Sequence, residues 1–228
     1  MRDKLKFKDE EYFNAYIEKE KARIAKFLNW IETGKTPEER IPAIKGEILW
    51  TKTKTVIAKY SRGDDLSTIK DEYTEVFKEW LPLFSTESYN ELLRMISLGI
   101  LFNIDAELLD KASELTAQAG FKDWLISFLL QGRKDSDKIS TEKFLFKKKY
   151  LPPLKSFVEN KNIDDMKLYL SKWYNADCGY YGAHKSTEKL YCGYWSFEAG
   201  AVAKILGIDD EEIKDKKYYP YDLVHFKG

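Results

Sequence analysis

The chain has 228 residues, of which 43% are hydrophobic and 15% aromatic, so it can bury a substantial core and global disorder is excluded. Its 38 basic and 38 acidic residues cancel, which removes the usual electrostatic basis for general, direct binding to nucleic acid. Two cysteines cannot form a disulfide framework, no uncharged stretch approaches the ~20 apolar residues that span a bilayer, and the start lacks a signal-peptide core. The composition therefore predicts a cytoplasmic protein without a membrane partner.

Apolar residues recur mainly at spacings of three and four, the helical period, so we expect an all-α, bundle-like array of about eight to ten helices. In the first half, helices are predicted at about 9–33, 38–61, 65–81, 87–103 and 105–119. The second is the least regular, because residues 51–57 alternate in a β-branched, strand-like way. The third is the clearest, with one apolar stripe formed by Leu66, Ile69, Tyr73, Val76, Phe77 and Trp80.

In the second half, helices are predicted at about 121–131, 154–159, 164–174 and 187–206. Loops are predicted at 132–141 and 175–186, where turn-forming residues cluster. Asp209 and Glu212 have the spacing of a capping box and predict a short turn, and the aromatic-rich tail from Lys216 is expected to be irregular. We expect an amino-terminal half, 1–118, and a carboxy-terminal half, 119–228, which could pack as one compact unit.

The common catalytic and nucleotide-binding motifs are absent from the sequence. The chain has only two histidines, too few to supply the residues that most histidine-based mechanisms need. Cys178, His184 and Cys192 fall in one short segment and, with Asp177, could hold zinc, although their spacing matches no ordinary zinc motif. The simpler interpretation is that both cysteines are reduced and pack as small hydrophobes. A Cys-His nucleophile pair is a further alternative, but no neighbouring residue orients its base.

Glu198 lies inside a nearly apolar predicted helix, where an ionised carboxylate needs a partner. It could be a catalytic acid, but a structural carboxylate that accepts hydrogen bonds from a tyrosine or a basic residue is the favoured interpretation. Aromatic residues crowd the region around it and the tail, and could stack bases or anchor a protein partner. The favoured alternative is that the tail packs on the last helix, with tyrosine hydroxyls bonded to loop backbone.

The charge is distributed unevenly along the chain. Residues 61–130 carry 6 basic and 13 acidic groups, whereas the flanking segments are both basic. On the third predicted helix one face is acidic, formed by Asp64, Asp71, Glu75 and Glu79 with Glu72 at the edge. Neither Lys nor Arg stands four residues after Asp71, Glu75 or Glu79, so the stripe is expected to be unpaired and to favour a basic partner. A solvated helix face is the default alternative.

Two segments of the sequence have a distinctive pattern. One segment begins at Tyr60 and runs through Arg62, Gly63, Asp64 and Asp65 to Lys70. The other and more specific segment runs from Tyr191 to Ala203, together with a tail segment of residues 218–224. Both segments resemble the PoNi family, the immunity proteins of PoNe-type bacterial DNase toxins. The motif residues that the resemblance marks as determinants of the fold are Tyr60, Arg62, Gly63, Tyr194, Trp195, Phe197, Glu198, Tyr219, Pro220 and Asp222. The chain departs from the expected pattern at Cys192 and at Gly200, where alanine is expected.

The resemblance implies a non-enzymatic, all-helical inhibitor without a cofactor, which binds a cognate interbacterial DNase in the cytoplasm and prevents DNA cleavage. A nuclease needs a positive DNA-binding groove, which acidic side chains can cover. The candidate toxin-binding residues are therefore Asp64, Asp65, Asp71, Glu72, Glu75 and Glu79. The alternatives are a helical enzyme or metal-binding protein that uses Glu198 or the Cys178, His184 and Cys192 group, and a general helical adaptor.

Overall fold

The computed structural model describes residues 1–3, 5–137, 142–145, 150–177 and 182–228, excluding the side chain of Asp177. Throughout these ranges the regular structure is helical, with ten α-helices, four short 3₁₀ turns and no strand. The all-α prediction is confirmed. Within the same ranges, none of the helices combines the length and the apolar character required to cross a membrane.

The chain divides into two compact units. Unit 1 comprises residues 1–83 and 182–193, and unit 2 comprises residues 84–181 and 194–228. The helices of unit 1 are α1 (Glu10–Glu32), α2 (Ile41–Arg62) and α3 (Leu66–Trp80). The helices of unit 2 are α4 (Tyr89–Leu101), α5 (Ala106–Gln118), α6 (Trp124–Gly132), α7 (Leu151–Asn160), α8 (Ile163–Asp177), α9 (Phe197–Leu206) and α10 (Tyr221–Val224).

In unit 1, α2 packs against both α1 and α3. The predicted α3 stripe is confirmed, since all of its members except the half-buried Leu66 are buried. The strand-like run in α2 is helical because its threonine hydroxyls bond within the helix. Thr51 Oγ1 donates to Glu47 O at 2.7 Å and Thr55 Oγ1 donates to Thr51 O at 2.9 Å, which satisfies polar groups that would otherwise be buried unpaired.

Helix α7 and the tail differ in extent from the predicted elements of unit 2. Helix α7 begins at Leu151 rather than 154, because Pro152 and Pro153 fall in its first turn, where an amide hydrogen is not needed. The tail, predicted to be irregular, contains the short helix α10. Of the predicted loop 132–141, residues 133–137 are non-helical and residues 138–141 lie outside the described ranges.

The last long helix was predicted over residues 187–206, but the structure has only α9 from Phe197 onward. Residues 187–196 are not helical. Lys189 and Gly193 have φ values of 51° and 123°, which the right-handed helix cannot accommodate. Ser196 N donates instead to Tyr218 O at 2.8 Å, so long-range hydrogen bonds replace the helical ones in this segment.

Gly200 in α9 permits close packing of the tail. A Cβ atom at this position would lie 2.6 Å from Pro220 Cγ and 3.3 Å from Val224 Cγ2. The tail therefore packs on α9, as predicted. Glycine replaces the expected alanine at position 200 because an alanine side chain would clash with Pro220.

We expect Gly200→Ala to lower the free energy of unfolding by about 1–3 kcal/mol, because the Pro220 ring must move. Gly46→Ala in α2 is the matched control, since its Cβ meets no atom within 4 Å. That control is expected to be stabilising by about 0.5–1 kcal/mol through its effect on backbone entropy. Urea denaturation of both variants measures the difference, and equal stabilities would contradict this account.

Candidate functional site

The segment from Tyr60 to Asp65 forms the junction between α2 and α3. Gly63 ends α2 with a left-handed φ of 104°. Arg62 makes two hydrogen bonds to the Asp64 carboxylate, Nε to Oδ1 at 2.7 Å and Nη2 to Oδ2 at 2.6 Å. Asp65 caps α3 by accepting a hydrogen bond from Thr68 N at 2.9 Å, which lowers the pKa of its carboxyl.

The same junction holds the start of the chain. The guanidinium of Arg2 lies 5.3 Å from the centre of the buried Tyr60 ring, and Arg2 Nη1 donates to Asp64 O at 2.5 Å. Asp64 and Asp65 therefore both have structural roles, and the first signature segment stabilises a turn.

Most of the acidic face of α3 is paired, contrary to the expectation from sequence, and of its members only Asp71 has neither an ion pair nor a hydrogen bond among the described residues. Lys59 Nζ lies 2.5 Å from Glu72 Oε1 and Lys52 Nζ lies 2.6 Å from Glu79 Oε2, and both lysines come from α2. Glu75 pairs with Lys78 at 2.7 Å, three residues further on. A search for a basic residue four positions further along α3 misses these partners, because one lies three positions away and the others lie on the neighbouring helix α2.

Glu198 is a structural carboxylate in the second signature segment. Its Oε1 atom accepts hydrogen bonds from Tyr169 Oη at 2.6 Å, Trp173 Nε1 at 2.6 Å and Ser196 Oγ at 2.7 Å. Glu198 is 8% exposed. Burial, followed by the adjacent Glu198 charge, raises the pKa of Tyr169 well above its usual value, so the phenol stays protonated as a donor. The predicted tyrosine partner is confirmed.

A cavity of about 30 Å³ lies beside this carboxylate and is lined by Asn90, Leu93, Arg94, Trp173, Trp195, Phe197 and Glu198. Its volume is close to that of one water molecule, far below the several hundred Å³ of typical small-molecule pockets. The arrangement around Glu198 therefore binds α8 to α9 and leaves too little space for an organic substrate.

The candidate metal or nucleophile group is only partly described. Cys178 and the side chain of Asp177 lie outside the described residues. His184 stacks on Phe7 with ring centroids 3.9 Å apart, and Cys192 is buried and 2% exposed. The carbonyl oxygen of Cys192 accepts a hydrogen bond from Ser61 Oγ at 2.7 Å. Among the described side chains, no group of three or more His, Cys, Asp or Glu residues is arranged to hold a metal ion.

Two tyrosines of the tail, Tyr219 and Tyr221, donate to carboxylates, whereas the sequence predicted bonds to loop backbone. The buried Tyr219 donates to Asp210 Oδ2 at 2.6 Å, and Tyr221 donates to Glu211 Oε2 at 3.0 Å. His225 Nε2 lies 2.8 Å from Asp210 Oδ1. Burial and the Asp210 hydrogen bond raise the pKa of Tyr219. Pro220 is buried, while Asp222 is exposed at the start of α10.

Sequence reasoning missed the residue that anchors the end of the chain. Lys204 in α9 donates to Leu101 O at 2.6 Å, Leu223 O at 3.2 Å and Phe226 O at 2.8 Å. The ammonium group thus satisfies carbonyls at the end of α4 and in the tail. A single lysine in an apolar helix was the only signal in the sequence, and it resembles an ordinary surface lysine.

The fold and these contacts define an all-helical protein whose two signature segments stabilise a helix junction and the packing of the tail. Family models of the PoNe immunity proteins (PoNi) match residues 2–114 for the N-terminal part and residues 121–223 for the C-terminal part. The chain therefore belongs to the PoNi family of PoNe immunity proteins.

A solved structure shows the same fold. The crystal structure of protein PA2201 from Pseudomonas aeruginosa is similar with a TM-score of 0.67 and 17% identity, over 92% of this chain and 86% of that one. At this identity the likeness concerns the fold alone. No curated protein sequence matches the chain significantly.

Proposed function

We propose that this protein binds a cognate interbacterial DNase toxin of the PoNe type and neutralises it in the cytoplasm, without catalysis or a cofactor of its own. The observation that carries the proposal is the pair of family matches, which together span nearly the whole chain. A stoichiometric inhibitor needs a stable, well-packed surface rather than reactive groups. The structural use of Glu198 and of the α2–α3 junction agrees with that requirement.

Neutralisation is proposed to occur by covering the DNA-binding or active-site surface of the toxin. A nuclease holds the phosphate backbone with basic side chains, and an inhibitor with acidic side chains complements them. On α3 and the junction before it, the candidate contacts from sequence remain Asp64, Asp65, Asp71, Glu72, Glu75 and Glu79. Most of them have intramolecular partners, so the free negative charge of this face is smaller than their number indicates.

The competing proposal of a helical enzyme or metal-binding protein has less support. Three donors converge on Oε1 of Glu198, and the adjacent cavity is water-sized. His184 is stacked on a phenylalanine and Cys192 is buried.

We expect the purified protein to form a stable complex with its cognate toxin domain of the PoNe type, and to abolish DNA cleavage at equimolar concentration. DNase and immunity protein pairs reach dissociation constants of ~10⁻¹³ M or lower, so tight binding is physically reasonable. Plasmid cleavage and growth of toxin-expressing cells measure the effect, with an inactive toxin as the control for expression. A toxin that keeps cutting DNA in the presence of excess protein would contradict the proposal.

A further inference from the structure

The acidic excess of residues 61–130 lies mostly beyond α3. Residues 81–130 contain seven acidic and three basic residues. Three of the acidic residues, Glu107, Asp110 and Glu114, lie on α5 at spacings of three and four, which places them on one side of the helix. Asp105 immediately precedes α5. This helix therefore carries an acidic ridge in unit 2. The exposed Lys111, the one basic residue of α5, stands four residues after Glu107 and forms an ion pair with neither glutamate among the described residues.

The carboxylates of this ridge differ from those of α3 in their partners. Asp110 pairs with Arg133 and Lys134. Glu107 and Glu114 are exposed, and the described part of the chain gives neither carboxylate an ion pair or a hydrogen bond. The exposed Asp105 side chain likewise makes no capping hydrogen bond. Unpaired carboxylates keep their full charge for a partner, whereas the paired ones of α3 are largely neutralised.

Helix α5 is also flanked by two cavities of unit 2. The larger, about 410 Å³, takes Ala106 and Leu109 from α5 and is completed by residues of α4, α6 and α9. The smaller, about 240 Å³, is lined from α5 by Ser113, Thr116 and Ala117. The residues that line the two cavities share one side of α5, next to the ridge, and each cavity is large enough for a side chain of a partner.

The larger cavity combines apolar walls with an unsatisfied donor. Ile100, Ile104, Leu109 and Ile205 contribute the apolar lining. Asn103 and Lys204 also line the cavity, and both side chains donate to the carbonyl oxygen of Phe226 in the tail. Arg133 also lines the cavity, and its side chain is 10% exposed. One edge of its guanidinium pairs with Asp110, while the enclosed Nε has no hydrogen-bond acceptor among the described residues. An occupant that brings an oxygen atom to Nε would remove the cost of this unpaired donor.

We propose that this α5 surface, defined as Asp105, Glu107 and Glu114 with the two flanking cavities, is a docking surface for a basic protein. The proposal rests on the proposed function and names the nuclease toxin domain as the occupant. Lysine and arginine side chains around the DNA-binding groove of the toxin meet the free carboxylates. An apolar side chain of the toxin enters the larger cavity, where a backbone carbonyl beside it accepts a hydrogen bond from Arg133.

Charge reversal tests whether the toxin binds the α5 surface, when its effect on α5 is compared with the effect of the same change on α3. The variant Glu107→Lys with Glu114→Lys changes the net charge by the same amount as Glu75→Lys with Glu79→Lys, which replaces two ion-paired carboxylates of α3. We expect the α5 pair to slow association with an inactive form of the toxin by about 10-fold or more at low salt, and to reduce its salt dependence. The α3 pair should have the smaller effect. Melting temperatures and circular dichroism confirm that both variants fold.

Filling the larger cavity provides an independent test. Ala106 is exposed at the first position of α5, so a tryptophan there can occupy the cavity mouth without disturbing the core. We expect Ala106→Trp to weaken toxin binding at least 10-fold through faster dissociation, whereas Ala43→Trp, at an exposed position of α2, should bind normally.

The results of these experiments distinguish failure of the proposed α5 surface from failure of the proposed immunity function. Binding that survives both the α5 charge reversal and Ala106→Trp, or an α3 effect as large as the α5 effect, would overturn the α5 surface while leaving the immunity function intact. Failure of the unmodified protein to bind the toxin at all would overturn both proposals. A selective loss in the α5 variants supports the surface.

Discussion

Replacing Glu198 with alanine is expected to lower the free energy of unfolding by about 3–5 kcal/mol, among the largest effects of any single substitution in this chain. The carboxylate accepts hydrogen bonds from Tyr169, Trp173 and Ser196, and all three donor groups are buried. Its removal leaves these donors without an acceptor and opens a space in the packing between α8 and α9. Urea denaturation followed by circular dichroism measures the change.

Two further variants measure how much the hydrogen bonds of Glu198 contribute to stability. Glu198→Gln should cost less than Glu198→Ala, because the amide oxygen can still accept some of these hydrogen bonds. Tyr169→Phe removes one donor together with its need for an acceptor, and is expected to cost about 1 kcal/mol. A catalytic carboxylate often strains its surroundings, so its replacement tends to stabilise the protein. Unchanged or increased stability of Glu198→Ala would therefore reopen the enzymatic alternative.

Trp195→Ala is expected to cost about 3–5 kcal/mol and to leave little soluble protein. The side chain is 6% exposed and lines the small cavity beside Glu198, at the point where the non-helical segment enters α9. The substitution enlarges that cavity inside the core of unit 2, where neighbouring side chains can relax only in part.

Trp30→Ala is the control for loss of a tryptophan at a less buried position. Trp30 is half-buried on α1, with Lys26 Nζ 4.7 Å from its ring centre, and its replacement should cost about 1 kcal/mol. Thermal unfolding of both variants measures the comparison. If Trp195→Ala is as stable as Trp30→Ala, the second signature segment is exposed to a partner rather than packed in the core.

Local patterns were sufficient for most helices. The apolar stripe of α3, the left-handed Gly63 and the capping Asp65 are all encoded within a few residues, so the predicted span 65–81 agrees closely with Leu66–Trp80. The structural role of Glu198 was also predictable, because a carboxylate in an apolar helix must be satisfied. The division of the chain into halves at residue 118 stays a prediction, as do the toxin-contacting residues.

The partners of charged groups could not be predicted in the same way. Lys52 and Lys59 reach α3 from α2, so a count along α3 alone overestimated its free charge. The segment 187–196 has helical periodicity, yet its backbone bonds to distant groups such as Tyr218 O. The alanine expected at position 200 is excluded by Pro220, twenty residues further along the chain.

The sequence by itself determined the fold class, most helix limits and the family, because helical period, caps and signature segments depend on neighbouring residues. Only the tertiary structure decided which carboxylates are neutralised, where the last helix begins and which glycine permits the tail to pack. These properties depend on atoms that are remote in sequence and adjacent in space. The charge on α5 likewise depends on the tertiary structure, because Arg133 and Lys134 reach Asp110 from the end of α6 and leave Glu107 and Glu114 unpaired within the described part of the chain.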